Sequence, residues 1–365
     1  MVQLDGFRFF AVSGVMVGHW LTYPYMNRIG PMLASFGVNL FFVLSGFLIS
    51  QILINSKFNV EKSKLFILKQ FYIRRFLRIF PLYYLVVLLG WIFKVPSDNT
   101  SFFWFVTYTT NIICGINQGH CGYFTHLWSL AVEEQFYIIF PFIILLILPQ
   151  KLLQTFLLLI VLAICSRLVI YFILKGSPDM EWASYTLTPC CFDAFGIGAV
   201  LAYLKIFSSE QLLRILNRTY VFFGILLFCL GLYFFSLGHP KLNLPLILSY
   251  RLTLSIFCFW LIGVGSFSEY KGLTKRILEN RVVVYLGKIS YGIYVYHHFI
   301  PWVLQKLGFD GNNHSLILDA LFYFSVTVGL SVASWHLFES PINGLKRFFN
   351  YNSMEKVTGY IYAEK

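Results

Sequence analysis

Apolar stretches of about 20 residues recur along this chain between short polar segments, each long enough to cross the hydrocarbon core of a bilayer as a helix. The pattern predicts spans at 6–22, 33–54, 77–95, 127–148, 152–174, 185–206, 219–237, 245–267, 284–305 and 315–338. A further apolar run, "FFWFVTYTTNIICG" at 102–115, is shorter and is interrupted by threonines and an asparagine. Pattern alone does not decide whether it spans.

Only 12% of the residues are charged, against about 25% in soluble globular domains, which leaves no room for a large soluble domain. The first apolar stretch has no small-residue cleavage signal and holds internal polar residues, so it is expected to stay as the first helix. The net charge of +12 would suit nucleic acid in a soluble protein, but here it first reports topology. With an even number of spans and the N-terminus inside, most of the 28 Lys and Arg residues fall on the cytoplasmic side, as the positive-inside rule requires. If 102–115 crossed the bilayer, every later loop would change side and the basic stretch "SEYKGLTKRILENR" would face outward.

The expected fold is therefore an all-α integral membrane protein of about ten transmembrane helices. Both termini are cytoplasmic, and the segment near 102–115 is short and re-entrant or interfacial, its backbone buried by protein. Residues 1–345 make one transmembrane domain and 346–365 a short polar cytoplasmic tail. No inverted internal repeat is visible. The 7 cysteines show no metal-binding spacing. Cys114 and Cys121 bracket "GINQGH"; they pair if that loop faces an oxidising compartment and otherwise remain thiols.

Ionisable residues inside membrane spans are costly and point to function. At about 1.5 Å per residue, His19 lies roughly 20 Å along the first helix, past the midplane, with Arg8 on the same face about three turns below. Glu133 and Glu134 on the fourth span, and His297 and His298 on the ninth, fall at a similar depth, and Arg167 and Asp193 also lie in the outer half. A lone membrane histidine is as readily a structural hydrogen-bonding residue, and Arg167 with Asp193 could simply form an internal ion pair. Two adjacent carboxylates are harder to assign to structure alone. They point about 100° apart on a helix, so one of them is expected to share a site with His19 and the other to pair structurally, with Arg167 as its partner. Nearer the cytoplasm, "LKQFYIRRFLRIFPLYYL" sets Arg74, Arg75 and Arg78 on one helical face. Such a face anchors topology at anionic lipid headgroups or binds phosphate through guanidinium forks.

Several stretches, taken in order, carry a resemblance. "LDGFRFFAVSGVMVGHW", "GVNLFFVLSGFLIS", "YIRRFLRIFPLYY", "HLWSLAVEEQFYIIFP", "FDAFGIGAVLA", "LGKISYGIYVYHHFIP" and "FESP" resemble the successive motifs of the membrane acyltransferase-3 family. The resemblance covers residues 1–345. It implies a ten-helix enzyme, in a bacterial cytoplasmic (inner) membrane, that moves an acyl group, often acetyl, from cytoplasmic acyl-CoA to a hydroxyl. The implied partners are acyl-CoA, the bilayer and a carbohydrate or lipid-linked sugar acceptor, with no metal and no nucleic acid; a macrolide-type small molecule is the alternative acceptor, and the oligomeric state, homodimer included, is left open. The periplasmic esterase-like domain appended in some relatives has no counterpart in these residues. One departure stands out: many members have Arg-x-Asp where this chain has Cys191-Phe192-Asp193, which puts the partner of Asp193 in question.

The resemblance maps the essential histidine onto His19, the acidic motif onto Glu133 and Glu134, and the basic motif onto Arg74, Arg75 and Arg78. Acyl transfer to a hydroxyl needs a base and oxyanion donors, and histidine titrates in the right range. His19 is the expected base, either alone or also as acyl carrier, with Glu133 or Glu134 orienting it; the family motif favours Glu134. The coenzyme's phosphates would rest at the arginines while its arm rises past Arg8, Tyr291 and Tyr294. His297, Asp193, Tyr291 and Trp128 are the expected acceptor contacts. The rival classes are a transporter or flippase for a polar solute, which would also place charges inside the membrane, and a non-catalytic membrane partner, which would not need histidines and carboxylates at matched depth.

Overall fold

The computed structural model describes residues 1–21, 29–58, 62–219, 221–228, 244–309 and 316–349, and all regular structure among them is helical. Three long helices come first: α1 (Val2–Trp20), α2 (Ile29–Lys57) and α3 (Lys64–Ile92). Two short ones, α4 (Phe102–Val106) and α5 (Thr110–Ile116), lead through a 3-10 turn at Gly122–Leu127 into α6 (Trp128–Leu146). Then come α7 (Leu152–Ile173), α8 (Met180–Thr186), α9 (Phe192–Phe207), α10 (Ser209–Leu216) and α11 (Val221–Phe228). The last are α12 (Leu244–Gly263), α13 (Gly272–Leu278), α14 (Arg281–Lys288), α15 (Ser290–Tyr296), α16 (Ile300–Lys306), α17 (Leu316–Ser334) and α18 (Ser340–Gly344).

Among the described residues, 7 helices are long and apolar enough to cross a membrane, or 8 if the bent pair α10 and α11 is one span. Residues 220 and 229–237 of the expected span at 219–237 lie outside the described residues, and so does the tail beyond residue 349. The run 102–115 is two helices of 5 and 7 residues, far below the roughly 20 needed for a crossing. Cys114 at the end of that run and Cys121 after it are buried with their sulfurs 2.6 Å apart.

Two differences from the sequence pattern bear on the site. The third helix starts at Lys64 rather than 77, because Ser63 caps it by accepting the Phe66 N–H at 3.2 Å, so the arginine-bearing stretch is part of the helix. The run 284–305 is broken into α14, α15 and α16, with His297 and His298 in the gap between the last two. Pro301 explains the second break. It has no N–H to give the His297 carbonyl, and that carbonyl instead accepts the Trp20 indole N–H at 3.2 Å.

α2 is the central helix, packed along α1 on one side and α9 on the other. In lipid the hydrophobic effect does not drive helices together, so close backbone approach through small residues has to. A Cβ on Gly198 of α9 would collide with the Val43 carbonyl oxygen of α2, and one on Gly46 of α2 would collide with the Phe195 carbonyl oxygen of α9. α1 meets α2 in the same way, Gly18 against Gly30 and Gly37 against Ala11. Large apolar side chains such as Trp91, Phe172, Ile173 and Leu321 point outward from the bundle, as a lipid-facing exterior requires.

Gly198→Leu is expected to cost about 3 kcal/mol or more of stability, at the upper end of core overpacking, because the obstructing atoms are backbone and cannot move aside. The midpoint of thermal unfolding in detergent measures it; an unchanged midpoint would show that α2 and α9 do not approach as described.

Candidate functional site

The last turn of α1 delivers His19 one residue after the tight contact of Gly18 with α2. Its Nδ1 lies 2.8 Å from Nε2 of His297, with the rings stacked 5.1 Å apart. His298 meets His19 edge-on at 5.1 Å, and His126 packs against both His297 and His298 at 5.1 and 5.0 Å. Four imidazoles therefore form one cluster, in which His19 is the exposed member and His126 and His297 are buried. Backbone carbonyls hold the other three rings: Tyr294 takes His297 Nδ1 at 2.5 Å, Tyr123 takes His298 Nδ1 at 2.9 Å, and Val295 takes His126 Nε2 at 3.1 Å. Among the described residues, no group of His, Cys, Asp and Glu, this cluster included, is arranged to hold a metal ion.

Neither carboxylate of α6 belongs to that cluster, which corrects the matched-depth expectation. α6 reaches the histidines one turn earlier, at Ser129, whose hydroxyl lies 2.5 Å from the Tyr294 hydroxyl. The Tyr294 hydroxyl in turn donates to the His126 carbonyl at 3.0 Å. Glu133 is four residues further on, about 6 Å along the axis. His126 was missed in the sequence because it stands on a 3-10 turn outside any apolar span. Its only signal was its place at the head of "HLWSLAVEE".

Glu133 and Glu134 instead line a cavity of about 290 Å³ together with Arg8, Arg75, Arg78, Ser129, Tyr291 and Tyr294. Glu133 accepts the Ser45 hydroxyl at 3.0 Å and the Tyr137 hydroxyl at 2.8 Å. Over the Tyr137 ring, the Arg75 guanidinium lies 5.1 Å from the centroid. Glu134 is buried with Oε1 unpartnered. A buried carboxylate oxygen without a donor is expensive, and Glu134 is among the residues that line this cavity. A second cavity, of about 320 Å³, is lined by Asp5, Lys288, Glu339 and Lys346 and shares Arg8, Arg78 and Tyr291 with the first. Arg8 is ion-paired with Asp5 between the two. The two adjacent cavities thus have Lys288 and Lys346 in the lining of one and Ser129 and Tyr294, next to the histidines, in the lining of the other.

The remaining expected site residues lie elsewhere. Arg74 turns away from the cavity and donates to the carbonyls of Lys346 and Phe349, each at 2.9 Å, because the C-terminal turns pack on that side of α3. Asp193 is fully buried in an ion pair with Arg167 and accepts the Ala194 N–H at 2.9 Å, so it lines neither cavity. Arg167 is accordingly the partner of Asp193 and not of a glutamate. It also reaches the Leu248 carbonyl at 3.0 Å. Trp128 is buried between Phe42 and Tyr185, with ring centroids 6.0 and 5.0 Å away, and is likewise outside the cavities. Where an arginine was missing at position 191, α12 supplies a buried one: Arg251 donates to the Tyr185 carbonyl at 2.5 Å and lies 4.7 Å over its ring.

Comparison with known proteins adds the following. A family model described as an acyltransferase domain, that of acyltransferase 3, matches residues 1–336. The O-acetyltransferase OatA of Staphylococcus aureus is 26% identical over 377 residues, which cover 94% of this chain and 58% of that protein. The peptidoglycan O-acetyltransferase OatA of Listeria monocytogenes is 28% identical over 381 residues, covering 95% of this chain and 57% of its own length. The chain thus spans rather more than half the length of these relatives. No solved structure matches it.

Asp193→Asn leaves the Arg167 charge buried without its counter-ion and is expected to cost about 3–5 kcal/mol. Protein that remains folded should keep its specific activity, since the pair lines neither cavity. Unfolding midpoints and activity per folded molecule check the two halves separately.

Proposed function

The chain belongs to the acyltransferase 3 family, and from that premise we propose that it is a multi-pass membrane O-acyltransferase of a bacterial cytoplasmic membrane. It carries an acyl group, acetyl by analogy with the names of its relatives, from cytoplasmic acyl-CoA to a hydroxyl of a cell-surface carbohydrate. Both termini face the cytoplasm and 102–115 rests on the outer face. The observation that carries this reading is a run of two adjacent cavities that share Arg8, Arg78 and Tyr291, one lined also by Lys288 and Lys346 and the other by Ser129 and Tyr294. A long donor with a charged end and an amphipathic arm fits that run.

In this reading Arg75 and Arg78 bind donor phosphate by paired N–H donors, and the arm lies along Tyr291, Tyr294 and Glu134. An N–H on the arm satisfies the free Oε1 of Glu134. The acyl carbonyl reaches the histidine cluster. His19, exposed on the far side of it, takes the proton of the acceptor hydroxyl as that oxygen attacks the carbonyl carbon. The carbon–oxygen bond forms, the carbon–sulfur bond breaks, and the proton passes to the leaving thiolate. The carboxylates serve the donor's cavity, and the group that touches the base is an imidazole.

His19→Ala is expected to lower thiol release from acetyl-CoA at least about 100-fold, the usual scale of a lost general base, with the unfolding midpoint unchanged. Arg78→Ala is expected to raise KM for acetyl-CoA about tenfold or more, as for a lost charged hydrogen bond. It should barely change KM for a short acetyl thioester without phosphate. Full turnover by folded His19→Ala protein would remove the base; equal damage with both donors would make Arg78 structural.

A further inference from the structure

We propose that His297 is a positioning residue for the base: it fixes the tautomer of His19 so that Nε2 of His19 is the atom that takes the acceptor's proton. The inference rests on the reading of His19 as base and adds which atom acts and what holds it.

A chain of hydrogen bonds runs inward from the backbone to His19. The Tyr294 carbonyl can only accept, so His297 Nδ1, 2.5 Å away, carries a hydrogen. A neutral imidazole has one N–H, so His297 Nε2 has a lone pair. That lone pair faces Nδ1 of His19 at 2.8 Å, so His19 Nδ1 is the donor of the pair. The one remaining ring nitrogen of His19, Nε2, is left as the acceptor. The role is that of the orienting carboxylate in a Ser-His-Asp triad, filled here by a second imidazole whose own tautomer a carbonyl holds.

The backbone sets this up. Pro301 leaves the His297 carbonyl without a helix donor, and Trp20, next to His19, supplies one at 3.2 Å. α1 is thereby tied to residue 297 twice, by an indole to its carbonyl and by an imidazole to its ring. His19 Nδ1 is paired with the His297 ring and with neither flanking imidazole. His126 and His298 each point one nitrogen at a carbonyl, of Val295 and Tyr123.

Two replacements separate the halves of the His297 ring. In His297→Asn the amide N–H stands near the old Nδ1 and can still donate to Tyr294, but nothing accepts from His19. In His297→Gln the amide oxygen reaches the old Nε2 position and can accept. Initial rates with acetyl-CoA and the unfolding midpoint are measured for both, and for His19→Ala alone and combined with His297→Asn. The expected result is a kcat on the order of 100-fold lower for Asn, with KM for acetyl-CoA unchanged, and a kcat within about tenfold of the parent for Gln. The Asn change should add no further loss in the His19→Ala background. Equal rates for the Asn and Gln variants, high or low, overturn the proposal, and so does a loss from Asn that persists without His19. If His19→Ala itself turns over normally, the base reading fails first, and that outcome is visible separately.

Discussion

Close approach of the α1, α2 and α9 backbones is the constraint from which the rest follows. Glycine at positions 18, 37, 46 and 198 lets carbonyl oxygens of one helix sit where a Cβ of the next would stand. In lipid this packing replaces the hydrophobic effect as the source of helix association. It also sets the register of α1 against the bundle, because Gly18 and His19 are adjacent. With α1 held there, His19 meets His297 at hydrogen-bonding distance and Trp20 reaches the carbonyl that Pro301 leaves free.

Polar groups inside such a bundle must find partners, since no water competes for them. Arg167 closes with Asp193, Arg8 with Asp5, and Glu133 with two hydroxyls. These satisfied groups are structural in character even where they border a cavity. Glu134 differs, lining the cavity while one of its buried carboxylate oxygens has no hydrogen-bond partner.

The apolar pattern was enough to read an all-helical chain with a lipid-like exterior, because segment length and hydropathy are local properties, whereas it took the charge of the later loops to argue against a crossing by 102–115. The acidic pair and Arg75 with Arg78 were also legible, since charge within a span is conspicuous in one dimension. Depth arithmetic failed for the pairing of His19. It counts rise along each helix but ignores where neighbouring helices begin, and the 3-10 turn before α6 puts Ser129 and His126, rather than Glu133, at the level of the histidines.

The sequence by itself determined the class of fold and the chemical types available, because these depend on hydropathy and side-chain identity. Only the tertiary structure decided which of these groups meet. Arg74 went to the carbonyls of Lys346 and Phe349, Asp193 to Arg167, and His19 to His297. Each of those partners lies far away in the chain, and it is the packing of helix faces, not spacing along the sequence, that brings such residues within hydrogen-bonding distance.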